Sequence, residues 1–538
     1  MAIVKLTRVT LVCPKSELRI LLSRLCEFTA FHPSDRRGLV DDPELLLLSS
    51  HAHLVYSEAN ELLTGQALEE EQKLDMHSIF RARDLLDLVN VLTKELVEIR
   101  LELGRPDLNE SSKSETYLRL RAVREAALAV FNNVRRIKVL PGLKRFVGIE
   151  GFIPSHLVQS FRTNIQEYLV LVEPVKGRLS REPYIPSLIV NPRVISLFEN
   201  IALAGGVPRY YEIDPTPIIA FVFPAFFGIM FADLGHGMVL LALGLSLALR
   251  AKGKYRYWGR VLAVLGLAAV ATGSITGIIF GFDFPTPFSR LFPFSRILAG
   301  PFSPDSALLL LEVAVIIGTF HLASAYAIAV INQVRSRNYI DALFSHLPTL
   351  LLYSSAVPFT LALSGVQFQW QEIFVSNSYI SGFKQLLGWH IPVSLVAMIS
   401  FPILIGSFLT LILGRPLAYL ARPKNHQVVE ALGEGLLEAM LRPIEFLGNT
   451  ISYARLGIFL IISTIMGSLA NRVLELGILG IPLAVVFHIG QMAIEGLIVY
   501  IQDLRLHLYE WLSKFYFGLG IPFTPLVSKG DIFEIEWL

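Results

Sequence analysis

Hydrophobic and polar positions follow two different patterns along this chain. From Ile218 onward, apolar segments recur at roughly 218 to 233, 236 to 249, 260 to 281, 307 to 332, 346 to 365, 391 to 414, 432 to 470 and 481 to 515. A membrane-crossing helix needs about 20 apolar residues, so eight crossings are expected, the first two being short enough to read as one broken hairpin. The last two are long instead: about 35 to 40 helical residues extend ~50 to 60 Å against a hydrocarbon layer of ~30 Å. They must tilt steeply or protrude, and a steep tilt needs a packing reason, such as a curved partner.

Before residue 210 the periodicity is that of an α/β domain with a helical hairpin. Residues 3 to 12 alternate as a strand, and KSELRILLSRLCEF is an amphipathic helix. RFVGIEGFIPSHLVQSFRTNIQEYLVLVEPV reads as strand, helix, strand, with Ser155 as the helix N-cap. Between these, roughly 66 to 104 and 113 to 138 read as two long polar helices joined by GRPDLNESSKS, whose Gly, Pro and Asn favour a turn. An antiparallel hairpin is expected, serving as a stalk or as a partner-binding coiled coil. The expected fold is therefore a cytoplasmic α/β plus helical-hairpin domain over 1–210, then an α-helical polytopic membrane domain over 211–538 that ends in a cytoplasmic tail.

Composition agrees: 53% of residues are hydrophobic and 17% charged, whereas about a quarter are charged in an ordinary globular domain. A net charge of +2 indicates no nucleic-acid partner. Cys13 and Cys26 are the only cysteines, too few for a disulfide framework or a thiolate zinc site made by this chain alone. The opening MAIVKLTRVTLVCP has strand character without the apolar core of a signal peptide, so the N-terminus is expected in the cytoplasm. The loops test that topology. Those expected inside hold Arg250, Lys252, Lys254, Arg256, Arg260, Arg335, Arg337, Arg415, Arg422 and Lys424; those outside hold Arg290, Arg296, Lys384 and Arg472. The bias follows the positive-inside rule and makes both termini cytoplasmic.

Arg455 and Arg505 lie deep in the last two apolar segments. An arginine away from the bilayer surface costs at least ~2.5 to 3.5 kcal/mol and normally faces a partner, cavity or pathway. On the final segment His488, Gln491, Glu495, Gln502, Arg505 and Tyr509 recur at helical spacing as one stripe, and on the preceding one Glu445, Asn449, Ser452, Arg455 and Ser463 form a sparser stripe. Interhelical polar glue is the alternative reading, and the better one for Ser452, Ser463 or His488 taken singly. Each arginine has a glutamate ten positions earlier, Glu445 before Arg455 and Glu495 before Arg505. Because the two segments run in opposite directions, Glu445 falls on the inner side of its arginine and Glu495 on the outer side of the other. Two offset acids separated by guanidinium groups, which do not deprotonate, are what a pair of non-aligned ion half-channels requires. Asp233 and His236 in FADLGHG read as a hairpin with a polar contact, since no third or fourth ligand for a metal is near. Glu312 and His321 are read either as lining an outer vestibule or as ordinary interhelical hydrogen-bonding groups. The loop FDFPTPFSRLFPFSRILAGPF reads as interfacial. No phosphate loop, H-E-x-x-H helix or G-x-S-x-G elbow occurs, so no catalytic residue, cofactor or metal is assigned.

Several segments together resemble the membrane-embedded a/I subunit of V-type and archaeal A-type rotary ATPases. PRYYEIDPTPIIAFVFPAFFGIMFADLGHGMVLL (208–241) carries that family's P-x-Y-x-E-I-D-P-T-P lead and F-F-G-x-M-F-x-D-x-G-H-G hairpin. GSITGIIFG, GTFHLASAYAIAVINQVRSRNYIDAL, SYARL, IEGLIVYIQDLRLHLYEWLSKFY and the G-x-G-x-x-F-x-P-L tail at 518–526 follow in order. The resemblance implies a stator subunit that is not itself the ATP-hydrolysing enzyme. It also implies contact with a proteolipid c-ring, peripheral-stalk subunits of E/G type, a central-stalk d/C-type subunit and the lipid bilayer. Arg455 and Arg505 would meet the ring carboxylate, and Glu495 would be the half-channel acid of the last helix, the transported ion being a proton or sodium. Many members carry a histidine where this chain has Ser463, and the N-domain is short for the family. A self-contained secondary transporter is the runner-up, although no internal repeat is evident; a membrane scaffold without transport is the third reading.

Overall fold

The computed structural model describes residues 3–64, 78–105, 110–143, 145–176, 182–283, 304–375, 378–379, 390–420 and 427–538. Arg290, Arg296, Lys384, Arg422, Lys424 and all of the aromatic loop after Asp283 lie outside the described residues, as do residues 66–77 of the first expected polar helix. The chain forms two compact units, Met1–Ile189 with Gly520–Leu538, and Val190–Leu519.

The first unit contains β1 (Leu6–Pro14), α1 (Leu18–Phe28), β2 (His32–Pro33), α2 (Pro43–Leu63), β3 (Ser78–Ala82), α3 (Leu85–Leu103), α4 (Glu110–Arg135), β4 (Phe146–Pro154), α5 (Val158–Asn164), β5 (Leu169–Pro174) and β6 (Pro186–Ser187). Alternation in the flanking segments gives an antiparallel sheet in the order β2-β4-β1-β5, with Val9 opposite both Gly151 and Val172. The leucines of α1, at positions 18, 21, 22 and 25, share one core with Val9 and Leu11. The polar hairpin is present as α3 and α4, tied by Arg119 to Glu95 at 2.6 Å and Glu102 at 3.1 Å. Its first arm is shorter than expected. Residues 78–82 are a strand with Phe80 and Ala82 turned inward, and Asp84 starts α3 by accepting from the Asp87 amide. Ser155 does not cap α5; its hydroxyl pairs with that of Thr7 at 2.8 Å, and a short 3₁₀ turn precedes the helix.

Residues after Gly520 complete this unit. β9 (Ile521–Pro522) pairs with β6, and β10 (Phe533–Trp537) lies parallel to β3. His32 Nδ1 accepts from the Thr524 amide at 3.1 Å and meets Arg136 Nη2 at 3.2 Å, while Asn133 bonds both the amide and the carbonyl of Val527. Burial, with Arg136 alongside, pulls the His32 imidazole down to about 4.

The second unit contains α6 (Glu199–Leu203), α7 (Thr216–Met230), α8 (Leu234–Arg250), α9 (Gly253–Thr276), β7 (Ile278–Ile279), β8 (Phe282–Asp283), α10 (Pro304–Arg335), α11 (Leu347–Gly365), α12 (Val393–Leu420), α13 (Gln427–Arg472) and α14 (Gly480–Arg505). A π-helical turn over Leu506–Trp511 continues α14. Each of the eight apolar segments coincides with one of the helices α7 to α14. Among the described residues five stretches are long and apolar enough to cross a membrane, the last, Glu430–Lys514, running through both α13 and α14; α7 and α8 are shorter apolar helices.

The motif before α7 is structural. Asp214 accepts from the Thr216 amide and hydroxyl at 3.0 and 2.6 Å, and Asn332 of α10 bonds the Ile213 amide and the Phe515 carbonyl. Helices α8 and α9 touch backbone to backbone through glycines seven residues apart, Gly237 and Gly244 on one, Gly259, Gly266 and Gly273 on the other. A Cβ at Gly266 would stand 2.5 Å from the Leu241 nitrogen, and one at Gly273 would stand 2.3 Å from that of Leu234. Small residues permit such contact between apolar helices, where polar groups to join them are scarce.

Gly266→Val is expected to lower stability by at least about 1–3 kcal/mol through overpacking, read as a lower melting temperature in detergent, with Leu267→Val on the exposed side of α9 as the neutral control. For the first unit, His32 takes up a proton more readily unfolded than folded. Its contribution is complete above about pH 6.5 and is lost as pH falls towards about 4. Hydrogen exchange of residues 520–538 in the full-length chain should accelerate over that interval, and His32→Gln should flatten the dependence.

Candidate functional site

Charged residues on α13 and α14 are the starting point, because apolar helices can hold them only where something compensates the charge. At 46 residues α13 extends ~69 Å, more than twice the hydrocarbon thickness. One face of it, including Leu437, Leu441, Ile444, Leu447, Ile451, Ile458 and Ile462, is exposed, as are Val486, Ile494, Leu497 and Ile501 of α14.

Arg455 donates from Nη1 to Gln502 Oε1 at 3.0 Å and from Nη2 to Glu510 Oε1 at 2.9 Å. Arg505 Nε stands 3.9 Å from the same Glu510 oxygen. Their environments differ: the side chain of Arg505 is 59% exposed, that of Arg455 17% and that of Glu510 5%. Glu510 belongs to neither helical stripe. In a regular α-helix it would point about 140° away from Arg505, but the π turn over 506–511 places the two residues one turn apart. The pair on the two long helices is thus joined through a carboxylate that helical spacing conceals.

The stripe on α14 parts company with expectation at its C-terminal end. Gln491 and Glu495 are buried and Gln502 is half-buried, but Arg505 and Tyr509 turn outward while Asp503 takes the inward face. Asp503 and His507 are fully buried and pair at 3.1 Å, with His507 against Phe223, Phe226 and His321. His321 of α10 meets the Tyr453 hydroxyl at 2.9 Å and stacks on Trp511, whose indole donates to Ser324. This cluster holds the π turn from behind. Glu312 is half-buried on α10.

The two glutamates occupy unlike places. Gln491 Nε2 donates to Glu495 Oε2 at 2.9 Å, and both side chains line an otherwise apolar cavity of about 540 Å³ between α13 and α14. Glu445 is bound to Lys514 at 2.6 Å and to Arg442 at 2.9 Å, beside a cavity of about 220 Å³ that also reaches His346 and Tyr326. Arg442 in turn holds Glu438 at 2.9 Å. Asn449 lies beside Tyr326, and Ser452 is half-buried on α13. At the opposite end of the two helices, Asp233 caps α8, accepting from the His236, Phe280 and Gly281 amides at 2.8 to 2.9 Å. His236 meets His488 at 3.1 Å, and His488 meets Asn471 at 3.1 Å. The structure therefore brings Arg455, Arg505 and Gln502 together, groups His488 with Asp233 and His236, and keeps Glu445 apart in its own ion-pair network. Sequence reading missed Glu510, Lys514, Asp503, His507 and Asn471; only an i, i+4 carboxylate–imidazole spacing at Asp503 and His507 was there to be found.

Comparison with known proteins defines the class. Residues 72–257 match the V-type ATPase 116kDa subunit family. Among curated proteins the chain is similar to subunit I of the A-type ATP synthases of three archaea. For Aeropyrum pernix the identity is 29% over 66% of this chain and 53% of that protein; for Saccharolobus solfataricus it is 25% over 83% and 68%. For Methanocaldococcus jannaschii it is 24% over 84% and 66%. The chain spans about half the length of the first of these relatives and about two thirds of the other two. The resemblance that the motifs carried, to the membrane subunit a/I of V-type and A-type rotary ATPases, is borne out, and the long apolar helices support a multi-pass membrane protein.

Removing Glu510 leaves a largely buried guanidinium with a single amide partner. Glu510→Ala is expected to destabilise by up to about 3–5 kcal/mol, and Glu510→Gln, which keeps an acceptor for Arg455, by clearly less. Thermal unfolding of both variants in detergent checks the order.

Proposed function

We propose that the chain is the stator membrane subunit of a rotary V/A-type ATPase or ATP synthase, coupling proton or sodium movement to the rotation of a neighbouring proteolipid ring. The observation that carries this is the charge balance at the arginines. Glu510 is already engaged by Arg455, so the site has two guanidiniums for one carboxylate, and Arg505 stands on an exposed apolar surface. A cation in that position is expensive against lipid and suits an apolar protein surface bearing its own carboxylate. A ring carboxylate that meets Arg505 gives up its ion; leaving, it reloads from the other side, and the guanidiniums close the direct route because they do not deprotonate.

Glu495, beside its cavity, is the outer half-channel acid in this reading, and the Glu445–Lys514–Arg442 cavity is the inner entrance. Both termini face the cytoplasm, eight helices cross the membrane, and the N-terminal domain with its α3–α4 hairpin receives the peripheral stalks. ATP chemistry belongs to other subunits. Similarity to proteins named as subunits of an ATP synthase supports the assignment over a self-contained transporter.

In the assembled complex, Arg455→Ala should abolish ATP-driven ion uptake into vesicles while the subunits still co-purify. Arg455→Lys should restore little, since an ammonium cannot reproduce the two-pronged contact with Gln502 and Glu510. Uptake at the wild-type rate in the alanine variant, or transport by the purified chain without a ring, would overturn the proposal.

A further inference from the structure

Hydrogen counting along the chain of groups from Asp233 to Asn471 yields a site that the arginine mechanism does not use. Asn471 Nδ2 donates to the Phe280 carbonyl at 2.8 Å. A carbonyl only accepts, so the amide orientation is fixed, and it is the Asn471 oxygen that faces His488 Nε2 at 3.1 Å. At the other end, His236 Nδ1 lies 3.5 Å from the Asp233 carboxylate and has no other partner, though the side chain is almost wholly buried. Between the ends, His236 Nε2 and His488 Nδ1 face each other at 3.1 Å.

Both ends of the pair therefore present acceptors. Two neutral imidazoles carry one N–H each, and one of these must lie in the N–H···N bridge. The remaining one serves either Asn471 or Asp233, leaving two lone pairs opposed at the other end. One further proton on the pair supplies a donor to the amide oxygen, a donor to the carboxylate and the bridge. Phe231 and Phe280 wall the rings; the Asp233 carboxylate lies beside His236, Glu495 follows His488 two turns along α14, and Arg472 and Glu475 follow Asn471 on the exposed connection to α14. His488 is only half-buried whereas His236 is buried, so His488 is the member of the pair at which a proton can enter and leave.

We propose that His236 and His488 form a proton-loading site for Glu495, holding one excess proton between Asp233 and Asn471. The proposal rests on the rotary reading above. In the neutral pair that accepts a proton, His488 Nδ1–H donates to His236 Nε2 and His236 Nδ1–H points to Asp233; a proton taken up at the free His488 Nε2 supplies the donor to Asn471 and leaves the pair with one positive charge. Release gives up the His488 Nε2 proton towards the cavity lined by Gln491 and Glu495, whose Oε1 atoms make no hydrogen bond, and returns the pair to its neutral form. No bond other than N–H and O–H changes, and the charge carried is one proton. A chain of imidazoles passes protons but not a sodium ion, so the ion entering here is H⁺.

The test uses the assembled complex in vesicles, with internal acidification and ²²Na uptake followed during ATP hydrolysis. His488→Ala should slow acidification at least tenfold, and added imidazole should restore it in proportion to its concentration, an effect that a purely structural role would not give. If the alanine variant does not assemble, His488→Gln, closer in volume, replaces it with the same expected slowing. Acidification at the wild-type rate, slowing that imidazole leaves unchanged, or an absolute requirement for sodium would each overturn the loading site. Arg455→Ala run in parallel separates the two ideas: if it still pumps, the rotary reading fails, and if it is inactive while His488→Ala pumps normally, only the loading site fails.

Discussion

Glu510 is buried beside Arg455 and close to Arg505, and a carboxylate can occupy that place only if the chain beyond residue 505 leaves the regular α-helix. The π turn achieves this. Its extra residue is held from behind by Trp511 stacked on His321 and by the buried Asp503–His507 pair, so packing deep in the unit secures a geometry displayed at its surface. Were Glu510 absent, two guanidiniums on neighbouring helices would repel each other with no carboxylate between them. With it, one is neutralised and the other remains available. The surplus of a single positive charge on an exposed apolar face is the property from which the functional reading follows.

The same two helices carry polar groups at three levels. The Glu445 network lies towards one end, the arginines in the middle, and the Asp233–His236–His488–Asn471 chain at the other end, with Glu495 between the last two. Each level is built differently. The first is saturated with paired charges, the second has one carboxylate for two guanidiniums, and the third sets two imidazoles between a carboxylate and an amide oxygen. Polar glue alone would balance donors and acceptors at every level, and the proposed pathway rests on the departure from that balance.

How the helices approach each other rests on the backbone as much as on side chains. Gly281 and Gly467 meet closely enough that a Cβ on either would collide with the other, which lets the β7–β8 hairpin lie against α13 and brings the Phe280 carbonyl to Asn471. The glycines at seven-residue spacing on α8 and α9 do the same for the hairpin whose first turn carries Asp233 and His236.

Much was legible in the sequence because its cause is local. Apolar run length located α7 to α14, alternation located β1, β4 and β5, and the cost of charge in an apolar environment singled out Arg455 and Arg505. The motif at 208–241 led to the family. What the sequence could not show depends on residues far apart or on departures from regular geometry. Strand β3 was hidden because its partner, β10, lies more than 450 residues away, and the place of the tail in the first unit depends on the same distant pairing. Glu510 was hidden because a 3.6-residue repeat points it away from Arg505, and only a π turn stabilised by contacts from α7 and α10 restores the pairing. For the same reason His236 and His488 read singly as polar contacts, since the donors and acceptors around them are fixed only when two helices and the Phe280 carbonyl come together.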